Sequence, residues 1–298
     1  MSRSASVEVA KPSAGDAIKD YISITKPKHQ FVLLTCWATM VLAGSPSAAH
    51  VLTTLLATGL AVASSHVFNQ IIDRDIDAVM TRTKDRALAA GRIRPVPAAI
   101  FGAVLLALSI AVMLWKVNAL SAWLVVLGWV VYVPVYTYWL KRTSPWCTLV
   151  GGISGAVPTL IGWASVTGQI GLPAFWLFLF MVIWQSPHFY ALSLFRGDDY
   201  KRARLPIYVV VAGVAKTQRR IVSYSLLMAA VTTLVYFSGA AGPVYLTLAA
   251  AGGAAYVLAS IIAVRQGEAQ APEWGKRLFL SSYLYLALVF ISVVADRT

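Results

Sequence analysis

Residues 69–83 read NQIIDRDIDAVMTRT and follow directly on a mostly apolar run, residues 48–69. A mostly apolar run of roughly 20 residues is typical of a helix that spans a membrane. The quoted stretch then places three aspartates and two arginines at the end of that helix. The sequence therefore indicates a membrane protein that carries a charged site at one end of its helices.

The composition of the whole chain leads to the same class of protein. The 298 residues are 58% hydrophobic and only 12% charged, whereas a soluble globular domain carries about 25% charged residues. A net charge of +13 could suggest a nucleic-acid partner, but the charges stand in short clusters between apolar runs, as they do in membrane proteins. We therefore expect an integral protein of the lipid bilayer with no nucleic-acid partner.

Nine mostly apolar runs are predicted to form transmembrane helices. The first thirty residues are polar and show no pattern of a cleaved signal peptide. The predicted fold is all-α and polytopic, with a polar cytoplasmic N-terminal segment at residues 1–28 and a single nine-helix domain at residues 29–298. The nine predicted helices comprise residues 29–45, 48–69, 97–116, 118–139, 147–166, 172–195, 218–238, 242–264 and 277–295.

The basic residues indicate how these helices are oriented. The N-terminal segment and the connections after the second, fourth, sixth and eighth helices hold 23 of the 25 lysines and arginines; Lys116 and Arg297 are the exceptions. Short loops rich in lysine and arginine stay in the cytoplasm. This pattern predicts a cell-membrane protein with its N-terminus and these connections inside and its C-terminus outside. Eleven of the twelve acidic residues are on the same side, and the orientation rule does not account for them.

The spacing of the acidic residues in the quoted stretch supplies a reason. If the helix continues, each residue turns by about 100°, so Asn69, Asp73 and Asp77 share one face while Asp75 points away. Two carboxylates and an amide oxygen suit Mg²⁺, which takes one or two carboxylates together with water and substrate phosphates. The arginines that follow, including Arg82 and Arg86, suit a phosphate. A solvated loop of mixed charge is the alternative.

Two further stretches carry candidate site residues. In QSPHFYALSLFRGDDYKRARLP, residues 185–206, His188 either lines a site inside the membrane or forms a hydrogen bond with a neighbouring helix. In YTYWLKRTSP, residues 136–145, Tyr136, Lys141 and Arg142 are either ordinary interfacial anchors or phosphate contacts. A polar head at the interface and an apolar tail in the bilayer describe a polyprenyl diphosphate.

These stretches closely resemble the UbiA-type intramembrane prenyltransferase superfamily and, within it, the branch that farnesylates protoheme IX. Gln70 stands where aromatic prenyltransferases of the superfamily carry a second acid, which favours the heme branch, and Ala87 stands where the branch usually has proline. The branch pattern N-x-x-x-D-x-x-x-D-x-x-M-x-R-T-x-x-R-P-L-x-x-G-R is matched by Asn69, Asp73, Asp77, Met80, Arg82, Thr83, Arg86, Leu88, Gly91 and Arg92.

The resemblance implies a Mg²⁺-dependent transfer of farnesyl from farnesyl diphosphate to the 2-vinyl group of heme B, with addition of water, to give heme O and diphosphate. It also implies that heme A synthase or proteins of terminal-oxidase assembly are partners. An aromatic prenyltransferase that makes a quinone precursor and a membrane transporter are the alternatives. The resemblance also implies the roles of individual residues. The implied ligands of one Mg²⁺ are Asn69, Asp73 and Asp77, and those of another are Asp198 and Asp199. The implied catalytic residues are Asp73, Asp77 and Lys141, and the implied substrate-binding residues are Arg82, Arg86, Tyr136, Arg142 and His188.

Overall fold

Helices make up nearly all of the part of the chain that the computed structural model describes, residues 14–297. The first thirteen residues of the predicted N-terminal segment, and Thr298, lie outside the described residues. The helices are α1 (Ala14–Ile24), α2 (Leu33–Ala43), α3 (Ala48–Ile72), α4 (Arg74–Val79), α5 (Pro95–Val112), α6 (Ala119–Val130), α7 (Lys141–Thr143), α8 (Cys147–Thr167), α9 (Leu172–Arg202), α10 (Tyr208–Ala212), α11 (Val214–Phe237), α12 (Pro243–Arg265) and α13 (Ala271–Ala295).

Eight of the helical segments are long and apolar enough to cross a membrane. Two of them change their pitch within the span: α5 continues as a π-helix at Met113–Val117, and α6 continues as a π-helix at Val131–Leu140. The protein is therefore an all-α, multi-pass membrane protein, as the hydropathy pattern predicts.

The predicted count of nine long helices is corrected to eight within residues 14–297, because the first predicted helix is not one continuous α-helix. Lys26 adopts a left-handed backbone conformation, and a 3₁₀ helix then runs over Pro27–Val32. The α-helical part, α2, has only 11 residues. The two pieces together rise about 28 Å, close to the ~30 Å hydrocarbon core, so this segment still passes from one end of the bundle to the other.

Small residues allow the helices to approach closely in the middle of the bundle, where α8 packs against α2, α6 and α9. A Cβ atom on Gly162 of α8 would overlap the Cys36 carbonyl and the Thr39 hydroxyl of α2. A Cβ atom on Gly155 would likewise overlap the Gln185 side chain of α9. Close backbone approach of this kind is how transmembrane helices gain packing energy without a hydrophobic driving force.

The ion pairs of the described residues gather at one end of this apolar bundle. They involve the first connection after α3, the segment around α7, the end of α9 and the start of α13. At the opposite end, the Arg297 guanidinium donates a hydrogen bond to the Val41 carbonyl at 2.7 Å. The fold therefore separates a charged end from an apolar body, and the candidate site lies at the charged end.

Candidate active site

The carboxylates of the first acidic connection divide between two faces, as their spacing predicts. The Asp73 amide donates to the Asn69 carbonyl at 2.9 Å and the Asp77 amide donates to the Asp73 carbonyl at 2.7 Å, so the helical path continues from α3 into α4. The Asp73 and Asp77 side chains are 1% and 4% exposed, whereas the Asp75 side chain is 62% exposed. Asn69 is buried on the same face as the two buried carboxylates.

Asp73 lies at the centre of this buried set. Its Oδ2 atom accepts hydrogen bonds from the Lys141 ammonium at 2.5 Å and from the Asn69 amide at 2.7 Å. The same Asn69 amide group also donates to the Thr137 hydroxyl at 3.2 Å. The Asp73 Oδ1 atom is buried and has no hydrogen-bond partner among the described residues, so this oxygen can serve as a ligand for a group that the protein itself does not supply.

Asp77 is held by the turn that follows it. The Arg86 guanidinium donates to Asp77 Oδ2 at 2.7 Å, and the Thr83 hydroxyl donates to the Asp77 carbonyl at 3.0 Å. The structure thus brings together Asp77, predicted as a metal ligand, and Arg86, predicted to bind substrate. Arg82 is exposed beside it.

Lys26 is a site residue that the sequence analysis did not single out. Its ammonium donates to Asn69 Oδ1 at 2.9 Å. Desolvation by burial, together with the positive charges of Arg86 and Lys141, lowers the pKa of Lys26 to about 7. The only signal in the sequence was the position of this lysine directly before Pro27, where the residue before a proline is kept out of the α-helical region.

Arg142 is engaged on the other side of α4 from Lys141. Its guanidinium forms a bidentate pair with the Asp75 carboxylate at 2.7 and 2.8 Å and also donates to the Ile72 carbonyl at 2.8 Å. The hydrogen bond from Arg142 lowers the pKa of Asp75 to about 2. The structure therefore does not bring Arg142 into the buried set, although it was predicted to bind the same diphosphate as Lys141.

The second acidic connection supplies one carboxylate to the site end. Asp199 is buried, pairs with the Arg202 guanidinium, and accepts a hydrogen bond from the Thr81 amide at 3.2 Å. Arg202 also donates to the Thr81 hydroxyl at 2.8 Å, which ties the end of α9 to the first connection. The neighbouring Asp198 side chain is 89% exposed and lies 3.9 Å from Lys201. The two predicted ligands of a second metal thus point in different directions.

His188 occupies a closed aromatic box. Its ring stacks between Trp184, at 4.6 Å between centroids, and Phe279, at 4.4 Å. Its Nδ1 atom is hydrogen-bonded to the Ser282 hydroxyl of α13 at 2.7 Å. Of the two roles left open by the sequence, this geometry matches the contact with a neighbouring helix.

Tyr136 packs its ring over Gly151 of α8, where a Cβ atom would lie 2.6 Å from the ring. Its ring centroid is 5.6 Å from that of Tyr132, and both tyrosines lie on the helix that ends in Lys141.

Thr137 is a second site residue that the sequence analysis did not consider. It stands four residues before Lys141, about one turn away. Thr137 contacts Asn69 and Lys141 contacts Asp73, so the spacing between Thr137 and Lys141 is the signal that could have found it.

The donor set fits a hard divalent cation. Among the described residues, three or more histidine, cysteine, aspartate or glutamate side chains do not gather at one point, so the protein offers no dedicated all-protein cage. Two buried carboxylates, one of them with the unpartnered Asp73 Oδ1, and an amide oxygen are instead what Mg²⁺ needs when water and substrate phosphate complete its coordination. In this structure Arg86 and Lys141 supply the neutralising charge to the two carboxylates, and Lys26 donates to the amide oxygen.

The helices form a multi-pass bundle with buried carboxylates and cations at one end of an apolar interior, and the family match assigns this bundle to the intramembrane prenyltransferases. Residues 31–283 match the UbiA prenyltransferase family, and the chain belongs to that family. Its relatives include the protoheme IX farnesyltransferases of Symbiobacterium thermophilum, 40% identical over 96% of this chain and 96% of the relative, and of Gloeobacter violaceus, 39% identical over 97% and 95%. The resemblance seen in the sequence is thereby confirmed.

Solved structures show the same fold at low sequence identity. A digeranylgeranylglyceryl phosphate synthase superposes with a TM-score of 0.78 at 18% identity, over 94% of this chain and 98% of that chain. A UbiA homolog from Archaeoglobus fulgidus, bound to GPP and Mg²⁺, superposes with a TM-score of 0.65 at 15% identity, over 93% and 99%. These similarities concern the fold alone.

Proposed function

We propose that the protein transfers the farnesyl group of farnesyl diphosphate to the 2-vinyl group of heme B, with addition of water, and releases heme O and diphosphate. The observation that carries this proposal is the buried stripe of Asn69, Asp73 and Asp77, each hydrogen-bonded to its own cationic side chain, at one end of an apolar bundle. The names of the full-length relatives, protoheme IX farnesyltransferase, support the choice of both substrates.

Asn69, Asp73 and Asp77 are the proposed ligands of Mg²⁺, in agreement with the metal named for the Archaeoglobus fulgidus homolog. When bound, Mg²⁺ supplies positive charge to the diphosphate oxygens. Asp198 and Asp199 remain the proposed ligands of a second ion. Asp199 already lies against the first connection, whereas Asp198 has to turn inward to take part.

The cations of the site serve the leaving group. Lys26, Arg86 and Lys141 now donate to the side-chain oxygens of Asn69, Asp77 and Asp73. Their ammonium and guanidinium groups can donate to phosphate oxygens once a metal ion neutralises the carboxylates. Donors that already point to where negative charge develops lower the barrier for breaking the allylic C–O bond. The apolar body of the bundle then keeps bulk water away from the farnesyl cation until the vinyl group attacks it.

Gln70 supports a heme acceptor over an aromatic one. Its amide is buried and donates to the Ile24 carbonyl at 2.7 Å, so it fastens α3 to the N-terminal segment and does not face the carboxylate set. The position that carries a second acid in the aromatic branch is therefore structural in this chain.

Product mass tests the proposal directly. Purified protein incubated with heme B, farnesyl diphosphate and Mg²⁺ is expected to yield a heme whose mass has increased by one farnesyl group and one hydroxyl group. Chelation of the metal is expected to stop the reaction, and its return to restore it. Prenylation of 4-hydroxybenzoate in a parallel incubation, with heme B unchanged, would assign the protein to the aromatic branch instead.

A further inference from the structure

The four histidines of the chain occupy three distinct environments. His50 is in the first turn of α3, where its amide donates to the Ser47 hydroxyl, at the end of the bundle opposite to the site. His188 is enclosed between aromatic rings. His29 and His66 lie together beside the candidate site, with ring centroids 5.6 Å apart, and neither has a role in the transfer chemistry described above.

His29 has an accessible imidazole at the edge of the site. It stands in the 3₁₀ segment Pro27–Val32, which contains no buried residue, and its side chain is exposed. Its backbone amide donates to the Lys26 carbonyl at 2.9 Å. The backbone of His29 is therefore fixed one turn from Lys26, whose ammonium contacts Asn69. A flat ligand can therefore reach this imidazole without displacing a packed side chain.

The charges around His29 favour its neutral form. The positive charges of Lys26, Arg86 and Arg82 act on His29 and disfavour a further positive charge on its ring. Neutral imidazole is the form that binds a metal ion. At neutral pH this nitrogen is thus available as a ligand and not blocked by a proton.

His66 and Tyr132 form the wall behind His29. His66 precedes Asn69 by three residues on α3, and its Nδ1 atom is 3.5 Å from the Tyr132 hydroxyl. The His66 ring meets both neighbours edge-on, at 5.6 Å from His29 and 5.8 Å from Tyr132 between centroids. Because the His66 ring packs edge-on against one side of the His29 imidazole, it restricts the orientation of that imidazole. The other side of the His29 ring faces away from His66 and is open to a ligand.

We infer that His29 is an axial ligand of the iron of the porphyrin acceptor, and that His66 and Tyr132 position its ring. The inference rests on the proposed function, because it requires a metalloporphyrin as substrate. Histidine nitrogen is a common axial ligand of heme iron. Iron ligation by His29 holds the porphyrin macrocycle at the charged end of the bundle. The edge of the macrocycle then faces the side of α3 and α4 that carries Asn69 and Asp77, where the farnesyl group is released.

The spectrum of bound heme B tests the inference in the absence of farnesyl diphosphate. Wild-type protein in detergent is expected to shift the heme absorption bands to those of an imidazole-ligated iron. His29→Ala is expected to lose that signature and to regain it when free imidazole is added, while His50→Ala at the far end keeps it. Mg²⁺-dependent binding of farnesyl diphosphate to His29→Ala serves as the check that the variant is folded.

Metal-free protoporphyrin IX separates iron ligation from packing of the macrocycle. Loss of the ligand is expected to weaken heme B binding at least as much as the roughly 10–100-fold cost of losing a ligand's hydrogen-bond partner. Binding of the metal-free porphyrin is expected to be equal in wild type and His29→Ala. A signature that survives in His29→Ala, or that is lost in His188→Ala, overturns the inference while heme farnesylation by the wild type still upholds the proposed function. Wild-type protein that neither binds nor farnesylates heme B refutes both.

Discussion

At the residue scale, Asp75 is a built-in comparison for the two buried carboxylates. It is two residues from both Asp73 and Asp77, yet it faces away from them and pairs with Arg142. Each Asp→Asn change removes one negative charge, so a purely electrostatic role predicts three similar losses. A metal-ligand role predicts two severe losses and one mild loss.

We expect Asp73→Asn and Asp77→Asn to lower kcat by about 100-fold or more, the scale of removing one group that stabilises charge in a transition state. Asp75→Asn is expected to keep most of the activity, because its carboxylate pairs with the outer cation Arg142 and does not face the buried carboxylates. Turnover at matched expression is the measurement. Equal losses at all three positions would contradict the one-face metal site.

Lys26 provides the second prediction, with Lys28 as its matched control. Lys26→Gln removes a donor beside Asn69 that is charged below its pKa of about 7, and a hydrogen bond from a charged group contributes roughly 1.5–3 kcal/mol. We therefore expect kcat/KM for farnesyl diphosphate to fall by about 10–100-fold. Lys28 is exposed two residues away, and Lys28→Gln is expected to leave kcat/KM within about twofold, since a surface charge contributes little. Steady-state kinetics that do not distinguish the two variants would remove Lys26 from the site.

The residues of the site differ in how far the sequence could predict them. Asn69, Asp73 and Asp77 followed from helical periodicity alone, because the helix continues through them. Lys26 could not be predicted, because its contact joins residues 43 positions apart through a left-handed turn. Adjacent residues on a helix point about 100° apart, which is why only one of Asp198 and Asp199 is buried at the site end.

At the element scale, the close contact between α8 and α2 depends on a glycine. Gly162→Ala places a methyl group into the Cys36 carbonyl, which is backbone and cannot rotate away. Overpacking of this kind costs about 1–3 kcal/mol or more, so we expect a lower melting temperature in detergent. Gly197→Ala in α9 is the control, because its Cβ atom would meet no other atom within 4 Å.

In that control, replacing a glycine inside a helix is expected to stabilise the protein by about 0.5–1 kcal/mol. The pair of substitutions therefore predicts thermal shifts of opposite sign for the same chemical change. A melting temperature of Gly162→Ala equal to that of the wild type would show that α8 and α2 are farther apart in the membrane than in this structure.

Hydropathy predicted where the long helices lie, but it could not predict how each one is wound. The first predicted helix, residues 29–45, is apolar enough to cross a bilayer, and its division at Leu33 follows from the backbone of Lys26 and Pro27. The π-helical turns at Val131–Leu140 surround Pro134, which interrupts the regular hydrogen-bond ladder. Such features depend on local backbone geometry. The mean hydropathy of a stretch of about 20 residues carries no information on that geometry.

At the scale of the whole molecule, the distribution of basic residues predicts a sidedness that labelling can test. In a variant lacking Cys36 and Cys147, single cysteines at Ser45 and Gln169 are expected to react with a membrane-impermeant thiol reagent added outside sealed cells. Cysteines at Lys84 and Lys201 are expected to react only after the cells are opened. All four positions are exposed in the structure, so accessibility within the protein does not bias the comparison. Labelling of Lys84 from outside would reverse the predicted orientation.

The concentration of ion pairs at one end of the bundle has a consequence for how a cell supplies and regulates such an enzyme. If the site works as proposed, the metal ion and the released diphosphate exchange with a single aqueous compartment. Both hydrophobic reactants enter laterally from the bilayer. The concentrations of free Mg²⁺ and diphosphate in that compartment then determine the rate of a reaction between two molecules that are dissolved in the bilayer. At the opposite end of the described residues, contacts such as that of Arg297 with the Val41 carbonyl join the segment after α13 to α2.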